Sequence, residues 1–330
     1  MLFFVISGYC ITAAAIQCQN KGYGFGTFMR RRIRRIFPPY ACAVLYWIAT
    51  RAVKSAAGGG NELGRPWTDY LQNFTLTQWF STILTPVSSP IGNGVLFMTA
   101  FWSLGYEEQF YLVVGLLMIL CASLRCPLII PVMALGILSL AYRIFAVKWT
   151  GFFIEYWGQF AVGVLLFYRL AYCTASWQRR SLDIVFATIA AISLLALVGV
   201  VPVTSEQHYL ANELAVVSIF ALVLVYTRST SNHLMETWLG KILAGLGTIS
   251  YSLYLIHECN LKFSASLAQR LVPASVFEAG NCVLQVAIHL ALAIVFWRFF
   301  EKPFLNKPLN KRDTVSRPAD LMGSAQESAG

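Results

Sequence analysis

The sequence predicts an all-α protein, a polytopic bundle of transmembrane helices, and three observations favour this fold class. Hydrophobic residues make up 57% of the 330 residues and charged residues only 12%, about half of the ~25% found in soluble domains. Apolar stretches recur along nearly the whole chain, as expected when about 20 apolar residues are needed to cross the hydrocarbon core. Stretches such as 182–201 are continuous and lack the period-2 alternation of membrane β-barrels. Helices embedded in a lipid bilayer therefore account for this composition.

About nine spans are predicted, separated by mostly short polar breaks. They cover residues 1–16, 36–53, 109–124, 128–147, 152–172, 182–203, 210–226, 239–257 and 282–300. The longest polar stretch, 54–100, follows the second span and contains an amphipathic piece at 67–80 that we expect to lie along the membrane interface. Residues 1–304 are predicted to form one transmembrane domain, and the polar residues 305–330 a disordered tail.

Basic residues predict the orientation, because Lys and Arg are retained on the cytoplasmic side of a membrane. The richer set of loops contains Lys21, the cluster at 30–35, Arg125, Arg169, Arg179, Arg180, Arg228, Lys241, Arg298 and the tail. The poorer set contains Arg51, Lys54, Arg65, Arg143, Lys148, Lys262 and Arg270. The arginine cluster and the C-terminus are therefore predicted to be cytoplasmic, with residue 1 and the 54–100 loop outside. An odd number of spans with an outward amino end fits the loss of one helix.

Charge and cysteine usage narrow the partners that we expect. The net charge of +10 is explained by topology, so no nucleic-acid partner is predicted. The eight cysteines form no CxxC pair and no Cys/His cluster with metal-ligand spacing, so no metal site is predicted.

The arginine cluster at 30–35 directly precedes the second span and is the first candidate site. Such a cluster commonly serves as a positive-inside anchor. A guanidinium group can also donate two hydrogen bonds to the oxygens of one phosphate, and the start of a helix adds positive potential. Both roles are compatible with the sequence.

Two acidic residues, Glu107 and Glu108, lie where an apolar span begins. The helix macrodipole alone favours a carboxylate at this position. However, ionisable groups at membrane depth are costly and are usually functional, so Glu107 is the stronger functional candidate and Glu108 the weaker.

A histidine, His257, ends the predicted span 239–257 at its outward side. A lone histidine there is more often an interfacial hydrogen-bonding residue than a catalyst. The topology nevertheless predicts that His257 and Glu107 lie at the same outward level, where they could share a proton-transfer or acceptor-binding role. Two further features are the small pair Ser7-Gly8, typical of close helix packing, and Glu301, which could pair with the arginine cluster.

Five segments in order resemble motifs of the acyltransferase 3 family of membrane O-acyltransferases. They are FFVISGY at 3–9, similar to FFVLSGF; RRIRRIFPPY at 31–40, similar to RRxxRIxPxY; WSLGYEEQFY at 102–111, similar to WSLSVEEQFYL; YSLYLIH at 251–257, similar to YSLYLWH; and EKPF at 301–304, similar to ExPF. Each motif alone is weak, but their order and their spread over nearly the whole chain make a chance similarity improbable.

The resemblance implies a ten-helix enzyme, here without its first helix, that moves an acetyl or similar acyl group from cytoplasmic acyl-CoA to a hydroxyl of an extracytoplasmic carbohydrate or glycolipid. It assigns Arg32 and Arg35 to binding of the acetyl-CoA co-substrate, and Glu107 and His257 to the catalytic motifs, in the bacterial inner (plasma) membrane. Two departures stand out. Glu258-Cys259 replaces Trp-Pro after His257, and the helix with the family's catalytic histidine is absent.

The expected mechanism separates the two groups of residues. Donor phosphates bind Arg32 and Arg35 at the cytoplasmic side, and an outward-facing hydroxyl is deprotonated by a base and attacks the thioester. The expected base is the histidine of the missing helix, and His257 or Glu107 orients that histidine or the acceptor. Two alternatives remain open on the sequence alone: a transporter or flippase for a lipid-linked glycan, which predicts paired charges at mid-bilayer, and a catalytically inactive remnant.

Overall fold

The computed structural model describes residues 1–60, 62–84, 94–145, 151–272 and 274–305, which form helices and contain no β-strand. The helices are α1 (Leu2–Asn20), α2 (Phe25–Ala56), α3 (Trp67–Thr75), α4 (Trp79–Leu84), α5 (Trp102–Leu124), α6 (Ile129–Phe145), α7 (Trp157–Phe167), α8 (Ser176–Leu197), α9 (Ser205–Glu236), α10 (Trp238–Leu271) and α11 (Ala274–Phe296). Short 3-10 turns precede α5 and α7, and π-helical turns follow α7 and α11. The predicted all-α fold class is confirmed.

Nine of these helices correspond to the nine predicted spans. Seven helical segments in the described part of the chain are long and apolar enough to cross a membrane. The other two, α6 and α7, are shorter, with 17 and 11 residues. The π-helical turn Tyr168–Tyr172 prolongs α7. Residues 306–330 of the predicted tail, 305–330, and part of the 54–100 loop lie outside the described residues.

Two helices extend well beyond the predicted spans. Helix α2 begins at Phe25, so the arginine cluster lies within the helix and not in a loop before it. Arginine is a good helix former, and its long side chain lets a charged head sit away from an apolar helix face. Helix α10 continues to Leu271, where Asn260, Ser264 and Ala268 form a buried stripe at four-residue spacing. His257 is therefore within a helix and not at its end, contrary to the prediction.

The predicted amphipathic segment forms α3 and α4 and packs onto the bundle. Asn73 is completely buried; its amide donates to the carbonyl oxygens of Asp69 and Val95, both at 2.8 Å, and accepts from the backbone N–H of Phe97 at 3.0 Å. Leu76, in the left-handed conformation with a φ of 57°, is also buried. The hydrogen bonds of Asn73 and the burial of Leu76 therefore hold the segment against the bundle. Trp67, on its other face, is exposed.

Helices α1 and α7 cross with their backbones in direct contact, and a glycine on each helix makes this contact possible. A Cβ atom on Gly8 would overlap the carbonyl oxygen of Phe160, and a Cβ atom on Gly163 would overlap that of Val5. Small residues allow such backbone contact between membrane helices. This confirms the packing role predicted for the Ser7-Gly8 pair.

Aromatic rings fill the core beside this crossing. Phe4 of α1 is fully buried, and its ring centroid lies 4.7 Å from that of Tyr156, 5.5 Å from Phe110 and 5.8 Å from Trp102. Because these rings come from α1, α5 and the turn before α7, they position α5 relative to the α1–α7 pair.

We expect Gly163→Ala to destabilise the protein by about 1–3 kcal/mol, the usual range for overpacking a filled interior. The added methyl group collides with backbone atoms, which cannot move aside as a side chain could. The measurement is unfolding of the purified protein in detergent micelles. Gly245→Ala is the matched control, because no heavy atom lies within 4 Å of its Cβ position. Equal stability of the two variants would contradict a tight crossing.

Candidate active site

A small cavity of about 70 Å³ lies between α2 and α5, and three candidate residues line it together with one tyrosine. These are Arg32 from α2 and Glu107, Glu108 and Tyr111 from α5. Apolar side chains, including Met29 and Leu76, complete its wall. The cavity thus combines one cation, two carboxyl groups and a phenol within an otherwise apolar setting, the usual composition of a small-molecule site.

Two helices, α1 and α5, determine the position of Glu107. The hydroxyl of Tyr111, one turn further along α5, donates to Oε1 of Glu107 at 2.6 Å. The hydroxyl of Ser7, from α1, donates to the same oxygen at 3.3 Å. Two hydrogen bonds therefore hold the carboxyl group while it remains accessible from the cavity.

Tyr111 also links Glu107 to Arg32. The guanidinium carbon of Arg32 lies 5.4 Å from the ring centroid of Tyr111 and 5.7 Å from that of Phe28, within the range of cation–π interactions. Arg32 and Arg35 both interact electrostatically with Glu107. Tyr111 and Ser7 were not singled out in the sequence, although both lie within the motifs at 102–111 and 3–9.

The expected separation of the arginines from Glu107 is therefore wrong for Arg32. The sequence predicted Arg32 at the cytoplasmic side and Glu107 near the outer face, but the two residues line one cavity. The physical reason is that α2 includes the arginine cluster, so Arg32 lies two turns inside the helix and packs against the middle of α5.

Glu108 also borders the cavity, and its environment differs from that of Glu107. Its Oε2 atom is buried and has no hydrogen-bond partner among the described residues. A glutamate placed here only to favour the helix macrodipole would have its carboxyl group in solvent. The buried Oε2 atom shows that Glu108 does not fit that description.

His257 lies farther out along α10 and does not contact Glu107 in the described structure. Its Nδ1 atom is 2.8 Å from the carbonyl oxygen of Tyr254. Because a carbonyl oxygen only accepts, Nδ1 is the donor in this hydrogen bond, and Nε2 is the ring atom left for another partner. The structure brings Tyr251, six residues or about 9 Å earlier on the helix, into electrostatic range of Glu107.

The residues next to His257 join α10 to the start of α5. The hydroxyl of Tyr254 hydrogen-bonds Ser103 Oγ at 2.7 Å and donates to the carbonyl oxygen of Ala100. Glu258 accepts from the hydroxyl of Thr99 at 2.9 Å and from the N–H of Ala100 at 3.1 Å. Glu258, which replaces the family's tryptophan, thus stabilises the turn that precedes α5.

Glu301 connects the end of the chain's last span to the same site. It is buried, and its Oε2 accepts from the hydroxyl of Ser252 on α10 at 2.5 Å. Arg35 interacts electrostatically with Glu301. Among the described residues the predicted ion pair between Glu301 and the arginine cluster is not formed, because Glu301 is hydrogen-bonded to Ser252 and Arg35 acts on it only at longer range.

A second cluster of buried charges was missed in the sequence. Arg143 Nη2 lies 3.3 Å from Glu213 Oε2, which also accepts from Gln159 at 2.7 Å. Arg143 donates to the carbonyl oxygen of Glu155 at 3.2 Å, and the Glu155 carboxyl accepts from Tyr106. The signal was available, because Glu155 and Glu213 lie inside predicted apolar spans, where ionisable residues are rare.

Comparison with known proteins adds an independent observation. Residues 1–299 match a family model described as an acyltransferase domain. The chain is similar to the peptidoglycan O-acetyltransferase OatA of Listeria monocytogenes serovar 1/2a (strain ATCC BAA-679 / EGD-e), with 27% identity over 330 residues. The similarity covers 92% of this chain and 50% of that relative, so the chain spans about half the length of the curated relative it matches. No solved structure matches.

Contacts link the five motif segments to one another. Arg32, Glu107 and Tyr111 line one cavity, and Ser7 donates to Glu107. Tyr251 donates to the carbonyl oxygen of Ile36, which lines the same cavity, and the neighbouring Ser252 donates to Glu301. The family model covers the first four of these segments, and the fifth, at 301–304, follows just after its last matched residues. The chain belongs to the acyltransferase 3 family.

Proposed function

We propose that the protein is a membrane-bound O-acyltransferase that transfers an acetyl group from acetyl-CoA to a hydroxyl of an extracytoplasmic carbohydrate. The single observation that carries this proposal is the shared cavity of Arg32 and Glu107. A cation and a hydrogen-bonded carboxyl group are costly to place inside a lipid-embedded bundle, and ionisable residues kept at such positions are usually functional. Membership of the family supplies the class of reaction.

The donor binds through its phosphates at Arg32 and Arg35. Guanidinium groups bind phosphate oxygens with paired hydrogen bonds and remain charged at any physiological pH. The cavity of about 70 Å³ has room for about two water molecules at their liquid volume. The nucleotide part of the donor therefore lies outside the cavity, and only the small acyl end enters it.

The acceptor approaches from the opposite side of the bundle, where His257 lies. Its oxygen attacks the thioester carbon, the carbon–sulfur bond breaks, and the hydroxyl proton passes to a base while coenzyme A leaves as the thiolate. With Nδ1 held by the carbonyl of Tyr254, Nε2 of His257 is available to orient the hydroxyl or accept its proton. Glu107 positions the reacting groups from within the cavity.

The wider assignment follows the same line. OatA is named for peptidoglycan, and we propose a cell-surface polysaccharide or its glycolipid precursor as the acceptor here. The seven long apolar segments support a multi-pass membrane protein. We propose the plasma membrane as its location and a cytoplasmic C-terminus, on the distribution of arginine and lysine.

One observation favours a second candidate function. A transporter or flippase for a lipid-linked glycan predicts paired charges inside the bundle, and Arg143 with Glu213 forms such a pair. The two functions differ in product: only the acyltransferase leaves an ester on the glycan. Ester formation by the purified protein with acetyl-CoA and a soluble glycan separates them.

We expect Arg32→Gln to raise the KM for acetyl-CoA and Glu107→Gln to lower kcat by about 100-fold or more, the usual contribution of a positioned acid or base. Acetyl transfer to glycan is measured in membranes that contain the full chain. The matched controls are Arg30→Gln and Glu278→Gln, exposed residues that remove the same charges outside the cavity. Unchanged turnover in both Arg32→Gln and Glu107→Gln would overturn the assignment.

We expect His257→Asn to lower acetyl transfer by about 100-fold, because the asparagine lacks the Nε2 acceptor. The measurement is the initial rate of acetyl transfer, with His208→Asn, an exposed histidine at the start of α9, as the control. A His257→Asn variant that keeps the wild-type rate would leave His257 with a packing role only.

A further inference from the structure

A second, larger cavity of about 500 Å³ opens between α8, α9 and the π-helical turn after α7. Arg169, Arg179 and Arg180 form its polar end, and Asp183 is the single carboxylate among the residues that line it. The remaining wall is mostly apolar. It consists of Ile184 and Ala187 of α8 and Leu222 and Tyr226 of α9.

The polar end carries a surplus of positive charge. Asp183 neutralises Arg169 through two hydrogen bonds, of 2.7 and 2.8 Å. Arg179 donates to the backbone carbonyl oxygens of residues 173 and 174, at 3.0 and 2.7 Å, and these acceptors carry no net charge. Arg180 is exposed and has no protein partner within the part of the chain that the structure describes. Two of the three guanidinium charges are therefore uncompensated.

The local backbone adds to this positive potential. Arg179 and Arg180 follow the start of α8, whose first turn contains no acidic residue and whose backbone N–H groups receive no side-chain cap. The start of a helix is its positive end, where arginine side chains are unfavourable. An anion held between the two guanidinium groups would offset the repulsion between these groups and also their repulsion from the positive end of α8.

The apolar wall identifies the kind of anion. A free phosphate or a nucleotide would gain nothing from Ile184, Leu222 or Tyr226, whereas an acyl chain would. Trp177, which follows the lining residue Ser176 in the chain, is 68% exposed, and tryptophan in membrane proteins is enriched at the level of the lipid head groups. A phosphate at head-group depth next to an apolar groove has the chemistry of a phospholipid.

We propose that this cavity binds an anionic phospholipid, with the phosphate between Arg179 and Arg180 and an acyl chain along the wall formed by α8 and α9. The site is separate from the acyl-transfer cavity, and no residue lines both. The proposal is therefore independent of the proposed enzymatic reaction.

The test is titration of the purified full chain in detergent micelles with phosphatidylglycerol or phosphatidylcholine, read by native mass spectrometry. We expect phosphatidylglycerol to bind more tightly, and Arg179→Gln/Arg180→Gln to weaken it by about tenfold or more. Arg180→Gln alone should weaken it by about threefold. The matched control, Lys241→Gln/Arg298→Gln, removes the same charge from exposed positions and should bind as the wild type does.

Three results would overturn the proposal. They are equal affinity for the two lipids, wild-type binding of phosphatidylglycerol by the double variant, and displacement of the lipid by inorganic phosphate or by coenzyme A. The last result would assign the arginines to a soluble phosphate. Because Arg179 also holds the turn at 173–174, Arg180→Gln, which breaks no contact in the described structure, decides the matter if the double variant does not fold.

Discussion

The backbone contact between α1 and α7 at Gly8 and Gly163 is the constraint on which the active site depends. Lipid supplies no hydrophobic drive for helices to associate, so close packing and hydrogen bonds hold a bundle together. The residue before Gly8 is Ser7, whose hydroxyl reaches Glu107. The crossing therefore determines the position of Ser7. Ring contacts of Phe4 with Phe110 and Tyr156 then fix α5 relative to α1 and α7.

Charge is concentrated in a few places within the bundle, each with its own compensation. In the cavity between α2 and α5, Arg32 is stabilised by the faces of Phe28 and Tyr111, while Glu107 accepts two hydrogen bonds. In the second cluster, Arg143 and Glu213 neutralise each other directly. The first arrangement leaves a cation and a carboxyl group open to a ligand, whereas the second satisfies its charges internally. This difference supports a reaction at the first and a structural role at the second.

The sequence predicted the fold class and a helix in each of the nine segments, seven of which are long and apolar enough to cross a membrane, because hydropathy reports how long each segment stays apolar. It did not predict the depth of Arg32 or the position of His257 within α10, because charged and polar residues continue both helices past the apolar window. Glu107 was identified from its cost in lipid, but its partners Ser7 and Tyr111 were not. Those contacts depend on which helices pack together, and hydropathy carries no information about pairing. Glu155 and Glu213 were missed although the same cost argument applied to them.

The buried anchor of the α3–α4 segment has a consequence for how the protein can be produced. Asn73-Phe74-Thr75 is an acceptor pattern for N-linked glycosylation. In the folded protein both amide hydrogens of Asn73 are used and no part of the residue is exposed. A sugar attached during synthesis in a eukaryotic secretory host would occupy the space in which α3 docks. Such chains could not dock α3 against α2, so a host without that modification is the suitable source of native protein.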